Sequence, residues 1–455
     1  MRRAANSEVP AAFSIDLVIH WEMMQVNKLL QYGALAMFVG ASASSVAVAD
    51  TATTSGGIKI ATDDGKFEAR IGGRIQLDAN FIETDKKASF GSGVAAPSSG
   101  LYFRRVYLTV SGKLYGWEYK IEPDFSPNND SGGTTIAFQD LYIGHEVGPG
   151  KLLLGQRKPY HGLEELISSN EVTFIERPTA SAIGIFGGGV SREFQLGAFY
   201  EGQFLDNNFT YGTSVYNLRR ADTISTEGVG TNGRLTWSPI HADRKVIHLG
   251  GSITYEVPHN NGSTFSPQII GSQAVYAGRR GPSIRLGLAG ADEPVTTYGV
   301  EGGGVYGPLY ISGEYFNQNL SQDTRKDQTV TSWYVQGSYF LTGESKPYKA
   351  KEGIFGSPKV NHPWGAVELA VRYEASKNED TTAGCPGAPN ATTGAYTYTV
   401  GGTKCEESAL LFGVNYYVNP NVRFLFNYIL GEADQGGTLG KDKPNTIALR
   451  AQLAF

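Results

Sequence analysis

Apolar and polar residues alternate along most of the chain. After residue 65 the alternation occurs in runs of about ten residues, which are separated by turns and polar loops. In the run at 446–455, one face is polar at Thr446, Arg450 and Gln452, and the other is apolar at Ile447, Leu449, Ala451, Leu453 and Phe455. A period of two is typical of a β-strand with one apolar face. The pattern therefore predicts an all-β protein.

The length of these runs bears on whether the strands cross a membrane. A soluble antiparallel sheet also alternates, so a single run does not decide the question. A strand tilted by roughly 45° crosses a bilayer in about 9–11 residues, and runs of that length recur along the whole chain. Such recurrence is typical of a transmembrane antiparallel β-barrel.

Turns and loops predict the number of strands. Tight turns are expected at 114–117, 147–150, 305–308 and 418–421. Counting runs inward from both ends gives about 16 strands if 258–294 forms one long loop, although 282–290 alone resembles a strand. Loops as long as this one and the one at 157–190 are usually functional. Because a barrel of this width leaves a lumen, we expect both loops to fold inward.

Composition agrees with this fold and restricts the partners. The chain has 58 Gly, 25 Tyr and 22 Phe, which suit turns and aromatic girdles and are poor material for long helices. The net charge of −5 argues against nucleic acid as a partner. It also offers no attraction for anions by the protein as a whole, so any anion preference requires a local cluster of Arg and Lys.

The N-terminal residues are expected to direct export. Residues 24–49 combine a basic residue, an apolar stretch and the sequence Ala47-Val48-Ala49, which predict a signal peptide cleaved after Ala49. Residues 1–23 carry no targeting pattern and are interpreted as an upstream extension. This leaves 50–455 as a single barrel.

Export to an oxidising compartment would allow the two cysteines to form a disulfide. Cys385 and Cys405 lie in a Gly/Thr/Pro-rich stretch between strand-like segments, so a loop-closing disulfide is expected in an oxidising compartment. Neither a histidine nor a third cysteine is near them in sequence, and the chain's 7 histidines show no ligand-like spacing. We therefore expect neither a metal site nor another cofactor.

An ordered set of segments carries a family resemblance. The most specific one, 154–177, contains Gly162-Leu163-Glu164-Glu165 and Ser168-Ser169 and ends in Ile175-Glu176-Arg177. The others are 72–76, 103–108, 117–124, 234–237, 341–344, 365–373, 413–415 and 419–423. Together they cover essentially the whole of 50–455 in the right order. In this set the chain resembles the phosphate-selective porin O/P family of Gram-negative outer membranes.

The resemblance implies a homotrimer of 16-stranded barrels in the outer membrane, with inward loops that narrow each pore and arginines along an anion path. It implies that Arg74, Arg104, Arg105 and Arg177 match anion-contacting positions and that Arg70 matches a basic position in the lumen. Alternation independently directs Arg70, Arg74 and Arg105 into the lumen. Since Arg104 has the opposite parity, we expect it to reach inward from the rim.

Other residues complete or modify the expected site. Tyr107 and Ser168 could donate further hydrogen bonds, and Asp140 matches an acidic family position that would keep the anion from binding too tightly. The loop at 258–294 adds three arginines: Arg279, Arg280 and Arg285.

One departure from the family pattern concerns selectivity. Where phosphate-specific members carry a lysine in the inward loop, this chain has Glu165, and a carboxylate there would repel an anion. Lys158 is expected to compensate in part.

Arginine suits an oxyanion path for a chemical reason. An oxyanion loses water in a narrow pore, and a guanidinium returns up to five N–H donors in a planar fork that matches two oxygens. Several arginines in series offer moderate sites, which let the ion enter and leave. The sequence thus predicts an outer-membrane porin for passive diffusion of small anions, including phosphate-type oxyanions.

Three alternatives stay open. A general, weakly selective diffusion porin would have the same barrel with its arginines paired to acids. A barrel phospholipase would need a Ser/His pair facing lipid at the rim, and alternation places none there, so no enzyme is expected. A surface adhesion protein would use the long loops to bind partners. In each case outer-membrane lipid surrounds the barrel, and Phe455 resembles the signal that the barrel assembly machinery reads.

Overall fold

The alternating runs form sixteen long strands, β1–β16, in the computed structural model. Their bounds are β1 Phe67–Glu83, β2 Gly100–Leu114, β3 Trp117–Asp124, β4 Ala137–Val147, β5 Gly150–Arg157, β6 Gln195–Phe204, β7 Phe209–Asn217, β8 Gly228–Ala242, β9 Lys245–Pro258, β10 Val295–Tyr306, β11 Leu309–Leu320, β12 Gln328–Phe340, β13 Ala366–Asn378, β14 Glu406–Tyr417, β15 Val422–Asp434 and β16 Asn445–Ala454. The structure describes residues 51–53, 57–84, 99–126, 136–183, 193–218, 228–259, 268–270, 275, 285–288, 293–321, 327–380, 386–389, 396–398, 405–434 and 441–455.

Consecutive strands pair antiparallel around the whole sheet, and the last strand closes the barrel on the first. β16 pairs with β1 from Asn445 opposite Glu83 to Ala454 opposite Arg74. Each strand therefore has a neighbour on both sides, so the barrel exposes no open sheet edge to lipid. The predicted antiparallel barrel of 16 strands is confirmed.

The two faces of the strands follow the sequence pattern. On β16, the apolar side chains of Ile447 and Leu449 are 39% and 40% exposed on the outside of the barrel. The polar side chains of Thr446, Arg450 and Gln452 are buried inside it. An apolar outer belt over a polar interior is the arrangement that lets a barrel sit in a bilayer.

Except for the connection 341–365, tight turns join the strands at one rim of the barrel, and the longer loops lie at the other rim. Between β2 and β3, Tyr115 and Gly116 have φ values of +49° and +84°, as in a type I′ turn, whose twist matches that of the flanking strands. The four predicted tight turns all join consecutive strands and are confirmed. These two ends of the barrel are named the turn rim and the loop rim.

The connection between β9 and β10 is a single long excursion, as the strand count requires. Within it, Arg285–Leu288 pairs with Gln268–Ile270 in a small sheet that is separate from the barrel. The strand-like pattern at 282–290 is thus real but does not add a barrel strand. The other short strands are Thr51–Thr53, Ile58–Ala61, Tyr348–Lys349, Ile354–Phe355, Pro386–Pro389, Tyr396–Tyr398 and Lys441–Asp442.

A β-bulge on β2 corrects the expected position of Arg104. Gln76 of β1 lies opposite Arg105, whereas the next residue, Leu77, lies opposite Phe103, so Arg104 is an extra residue in its strand. An inserted residue reverses the parity on one side of it. As a result Arg104 and Arg105 are both buried in the interior. The expectation that Arg104 reaches inward from the rim was wrong.

The loop between β5 and β6, residues 158–194, is named the inward loop, and its described residues cross the lumen. It contains two short helices, α1 (Leu163–Leu166) and α2 (Thr179–Ile183). At one wall the backbone N–H of Leu163 donates to the carboxylate of Glu314 on β11. At another wall Gln76 of β1 donates to the carbonyl oxygen of Ser169, 3.1 Å away. Contacts with these separate strands hold the loop across the barrel.

A second segment, which no sequence pattern predicted, enters the lumen from the turn rim. Residues 341–365 connect β12 to β13 and form a small hairpin from Tyr348–Lys349 and Ile354–Phe355. Phe355 is fully buried in one apolar cluster with Leu163 of the inward loop. The Nζ atom of Lys346 donates to Thr173 Oγ1 of the same loop at 2.7 Å. The two inward elements therefore brace each other inside the barrel.

Some predicted features lie outside the described residues. They are the upstream extension, the signal peptide with its cleavage site, Arg279, Arg280 and Cys385. Cys405 is buried and disulfide-bonded. Asp50–Phe455 forms one compact unit. Among the described residues, no helix is both long enough and apolar enough to cross a membrane.

We expect Arg450→Met to destabilise the barrel by about 3–5 kcal/mol. Nε and Nη2 of Arg450 each lie 2.7 Å from a carboxylate oxygen of Asp78, and the pair is fully buried where β16 meets β1. Removal of the arginine leaves the Asp78 charge buried without this partner. The midpoint of urea unfolding in detergent micelles, followed by tryptophan fluorescence, measures the loss.

The double variant Asp78→Leu/Arg450→Met is the control for this experiment. It removes both charges and should recover part of the lost stability, because no unpaired charge is left at the closure. An Arg450→Met barrel as stable as the parent would show that the pair does not hold the closure.

Candidate functional site

Arg74 of β1 projects into the lumen and meets the inward loop. Its Nη1 donates to Ser169 Oγ at 2.7 Å and to Ser168 Oγ at 3.3 Å. Its Nη2 lies 3.2 Å from Glu122 Oε2, and its guanidinium lies over the Tyr107 ring, 4.6 Å from the centroid. The structure thus brings together three predicted site residues: Arg74, Tyr107 and Ser168.

Arg105 of β2 faces the lumen close to Arg74 and is 5% exposed. Its Nη1 donates to the neutral amide oxygen of Gln76 at 3.1 Å. Within the described part of the chain, no carboxylate forms an ion pair with it; Glu176 is near but bonds Arg104. A guanidinium has five N–H donors. Arg105 therefore keeps positive charge and hydrogen-bonding capacity for a ligand.

Arg104, by contrast, is bound within the protein. Its Nε and Nη2 lie 2.7 and 3.3 Å from the two carboxylate oxygens of Glu176 in the inward loop. Arg450 Nη2 also approaches Glu176, at 3.4 Å. Burial alone would raise the pKa of Glu176, but Arg104, Arg105 and Arg450 outweigh it and lower the pKa to about 2. Arg104 thus anchors the loop instead of offering a free anion site.

Arg177 also serves the inward loop itself. Its Nε donates to the carbonyl oxygen of Glu164 at 3.0 Å, and its Nη2 donates to that of Ile167 at 2.6 Å. Both carbonyls belong to α1 or its C-terminal cap, where backbone acceptors lack helical partners. The guanidinium lies 3.7 Å from Glu165 and 3.5 Å from Glu193. Its donors are therefore largely occupied by the loop.

The two predicted selectivity-modifying residues, Lys158 and Glu165, are in direct contact. Lys158 Nζ lies 2.7 Å from Glu165 Oε1 and also contacts Glu193. Burial and the nearby Glu193 raise the pKa of Glu165 to about 8. Although burial acts to raise it, the pKa of Glu193 is held well below its usual range by Lys158 and Arg177. Glu193 was not among the predicted site residues.

Two further cations on the lumen wall were missed by sequence reasoning. Lys120 of β3 pairs with the predicted Asp140 of β4. Arg157, at the end of β5, pairs with Glu201 at 3.0 Å. The side chains of these four residues are partly exposed, so solvent reaches this wall. Lys120 could have been found, because it has the same parity as the lumen-facing Glu122.

Of the four remaining predicted arginines, Arg70 does not join the cluster around Arg105, and the side chains of the other three are not described. Arg70 lies towards the turn rim, where its side chain is 59% exposed and its Nε is 2.9 Å from Glu68 Oε1. Arg285 lies in the short strand within the β9–β10 connection, and its side chain is not described. Arg279 and Arg280 are outside the described residues. The structure therefore supports a cluster built from β1, β2 and the inward loop.

We expect Glu176→Gln to loosen the inward loop at neutral pH. With its pKa lowered from 4.5 to about 2, Glu176 stabilises the loop at pH values above 4.5, and this stabilisation is lost as the pH falls towards 2. The shift corresponds to about 3 kcal/mol. Single-channel current noise measures the motion of the loop. Parent channels should become noisy only below about pH 4, whereas channels of the variant should already be noisy at pH 7.

Glu146→Gln is the matched control, because Glu146 is exposed near the turn rim. Its noise should follow that of the parent channel at every pH. If Glu176→Gln also behaved like the parent, Glu176 could not be the anchor of the loop.

Comparisons with known proteins agree with the barrel fold. A curated relative, Porin O of Pseudomonas aeruginosa, is 28% identical over 88% of this chain and 92% of its own length. An uncharacterized protein of Caulobacter vibrioides is 25% identical over 71% of this chain and 63% of its own length. A loop-deletion mutant of OmpT, an outer-membrane protein of Vibrio cholerae, shares the fold, with a TM-score of 0.50 at 12% identity over 86% of this chain and all of its own.

The family match covers most of the chain. The family described as phosphate-selective porin O and P matches residues 70–455, which include all sixteen barrel strands except the first three residues of β1. This confirms the predicted resemblance and the location in the bacterial outer membrane. The chain belongs to the phosphate-selective porin O and P family and is an outer-membrane porin for the diffusion of anions.

Proposed function

We propose that the pore conducts phosphate-type oxyanions past an arginine-lined constriction formed by Arg74, Arg105, Tyr107 and Ser168. One observation carries the proposal: Arg105 is a buried cation without an ion-pair partner in the described lumen, and it lies close to further donors. Arg74 and the hydroxyl of Ser168 belong to the same cluster. The description of the family, phosphate-selective porin O and P, supports phosphate as the substrate.

The cluster matches the chemistry of a partly dehydrated oxyanion. Two guanidinium groups on adjacent strands offer planar forks of donors, and each fork fits a pair of phosphate oxygens. Serine and tyrosine hydroxyls can replace further water molecules. Glu122, which binds Arg74, and Asp140, which binds Lys120, limit the net positive charge of the wall. A limited charge lets the anion leave after it has bound.

A general, weakly selective diffusion porin is the second candidate. Arg104, Arg234 and Arg450 are each neutralised by a buried carboxylate, which is the arrangement expected when arginines only solvate the lumen. Conductance distinguishes the two candidates. Phosphate at low concentration should block the chloride current through a pore that has an anion-binding site, but not the current through a general pore.

We expect Arg105→Ala to weaken the block of chloride current by phosphate about 10- to 100-fold. This range corresponds to the loss of a charged hydrogen bond, about 1.5–3 kcal/mol. The measurement is planar-bilayer conductance in chloride with stepwise addition of phosphate, together with the reversal potential.

Arg70→Ala serves as the matched control, because Arg70 also faces the lumen side but is mostly exposed near the turn rim. We expect it to change the block less than threefold, on the order of 0.5 kcal/mol, as for an exposed charge pair. Equal effects of the two substitutions, or a parent channel that phosphate does not block, would favour the general porin.

We also propose that three copies assemble in the outer membrane, with lipid around the apolar belt. Membership of the porin family supports this assembly. Chemical cross-linking in mild detergent should give a ladder that ends at three chains, and bilayer records should show closure in three equal steps. A single closing step and the mass of one chain would refute it.

A further inference from the structure

Two carboxylates of the inward loop share one lysine. Lys158 Nζ lies 2.7 Å from Glu165 Oε1 and also contacts Glu193 Oε1. The side chains of Glu165 and Glu193 are themselves in hydrogen-bond contact. Two ionised carboxylates repel each other at this range, whereas one proton between them makes the contact favourable. This geometry is that of an acid pair that holds a single proton.

Charged and titratable groups of the inward loop and of the barrel wall surround the pair. Lys158 and Arg177 face it from the inward loop, and Glu164 lies beside Arg177. From the barrel wall, Asp140 interacts electrostatically with Lys158, and the phenol group of Tyr107 interacts electrostatically with Glu193. Tyr107 in turn lies under Arg74. The acid pair is therefore next to the proposed anion constriction.

The proton decides the net charge of this group. With one proton on the pair, Lys158, Arg177, Glu165 and Glu193 together carry a charge of +1. Without it, their charges cancel. Because Glu165 is only 3% exposed, the negative charge that appears on deprotonation is weakly screened by water. A nearby anion would therefore be attracted by a net charge of +1 in the protonated state and by no net charge in the deprotonated state.

We propose that Glu165 and Glu193 are specificity-determining residues, and that the single proton they share sets the preference of the pore for anions. The proposal deepens the proposed function and rests on it, since it assumes that anions pass the adjacent constriction. It also gives Glu165 a different role from that of a fixed repulsive charge: with the proton in place, this carboxyl group does not oppose the anion.

The pH range of the effect follows from the surroundings of Glu165. Burial and the charge of Glu193 raise its pKa to about 8. The protonated state therefore prevails at neutral pH and below, and the pair deprotonates as the pH rises through about 8. Anion preference should fall over that range. The range, not the direction, distinguishes this pair from an ordinary exposed carboxylate, which is already fully charged above about pH 5 and would leave anion preference unchanged near pH 8.

The test is the anion-to-cation permeability ratio, taken from reversal potentials in a potassium chloride gradient between pH 5.5 and 9.5. For the parent channel we expect the ratio to fall at least threefold with a midpoint near pH 8. Glu165→Gln cannot deprotonate at this position, so its ratio should stay at the parent's low-pH value throughout. Glu193→Gln removes the partner charge, so its midpoint should move to lower pH.

Glu201→Gln is the matched control, because it removes another partly exposed lumen carboxylate, the partner of Arg157. It should raise the permeability ratio by the same factor at every pH and leave the midpoint of the pH dependence unchanged. A parent ratio that is flat over this range, or a Glu165→Gln channel that titrates like the parent, overturns the inference. If the pore is anion-selective and blocked by phosphate but flat with pH, only the inference fails; if it shows neither property, the proposed function fails.

Discussion

Charges directed into the lumen must be compensated there, and the rest of the structure depends on this constraint. The alternation that gives the barrel its apolar outer belt also places Asp78 and Arg450 inside, and the bulge on β2 places Arg104 there. Two inward segments leave all three buried. Burial of an unpaired charge costs several kcal/mol. Arg450 therefore binds Asp78 at the barrel closure, and Glu176 binds Arg104 and holds the inward loop to the wall. The same ion pairs determine which cations remain available to an anion.

The strands could be predicted from the sequence because a period of two is a local property that each run shows by itself. The position of Arg104 could not, since parity assumes a regular register and one bulged residue reverses it. The segment 341–365 was missed for a related reason. The preference for short connections at its rim gave no ground to expect a long one, and the burial of Phe355 depends on contacts distant in sequence.

The family resemblance indicated most members of the candidate site but not their roles. Arg74, Arg105, Tyr107 and Ser168 do lie near one another. Arg177 was expected to contact the anion, yet in the structure it donates to carbonyl oxygens of its own loop. Which arginine is satisfied depends on the path of the inward loop, and no periodicity encodes that path. Glu193 was missed because it lies at the end of the same loop, outside any regular strand pattern.

An anion pore has to attract its ion without trapping it, so the sign and the permanence of each lumen charge both matter. Arg105 attracts at every pH, because a guanidinium does not deprotonate in proteins. Glu122, bound to Arg74, is the partner that limits the attraction of that arginine. A buried acid pair next to such a site limits the attraction only after its proton has left. In the proposal, Glu165 therefore makes the strength of anion attraction depend on pH. The arginines determine where along the pore the anion binds.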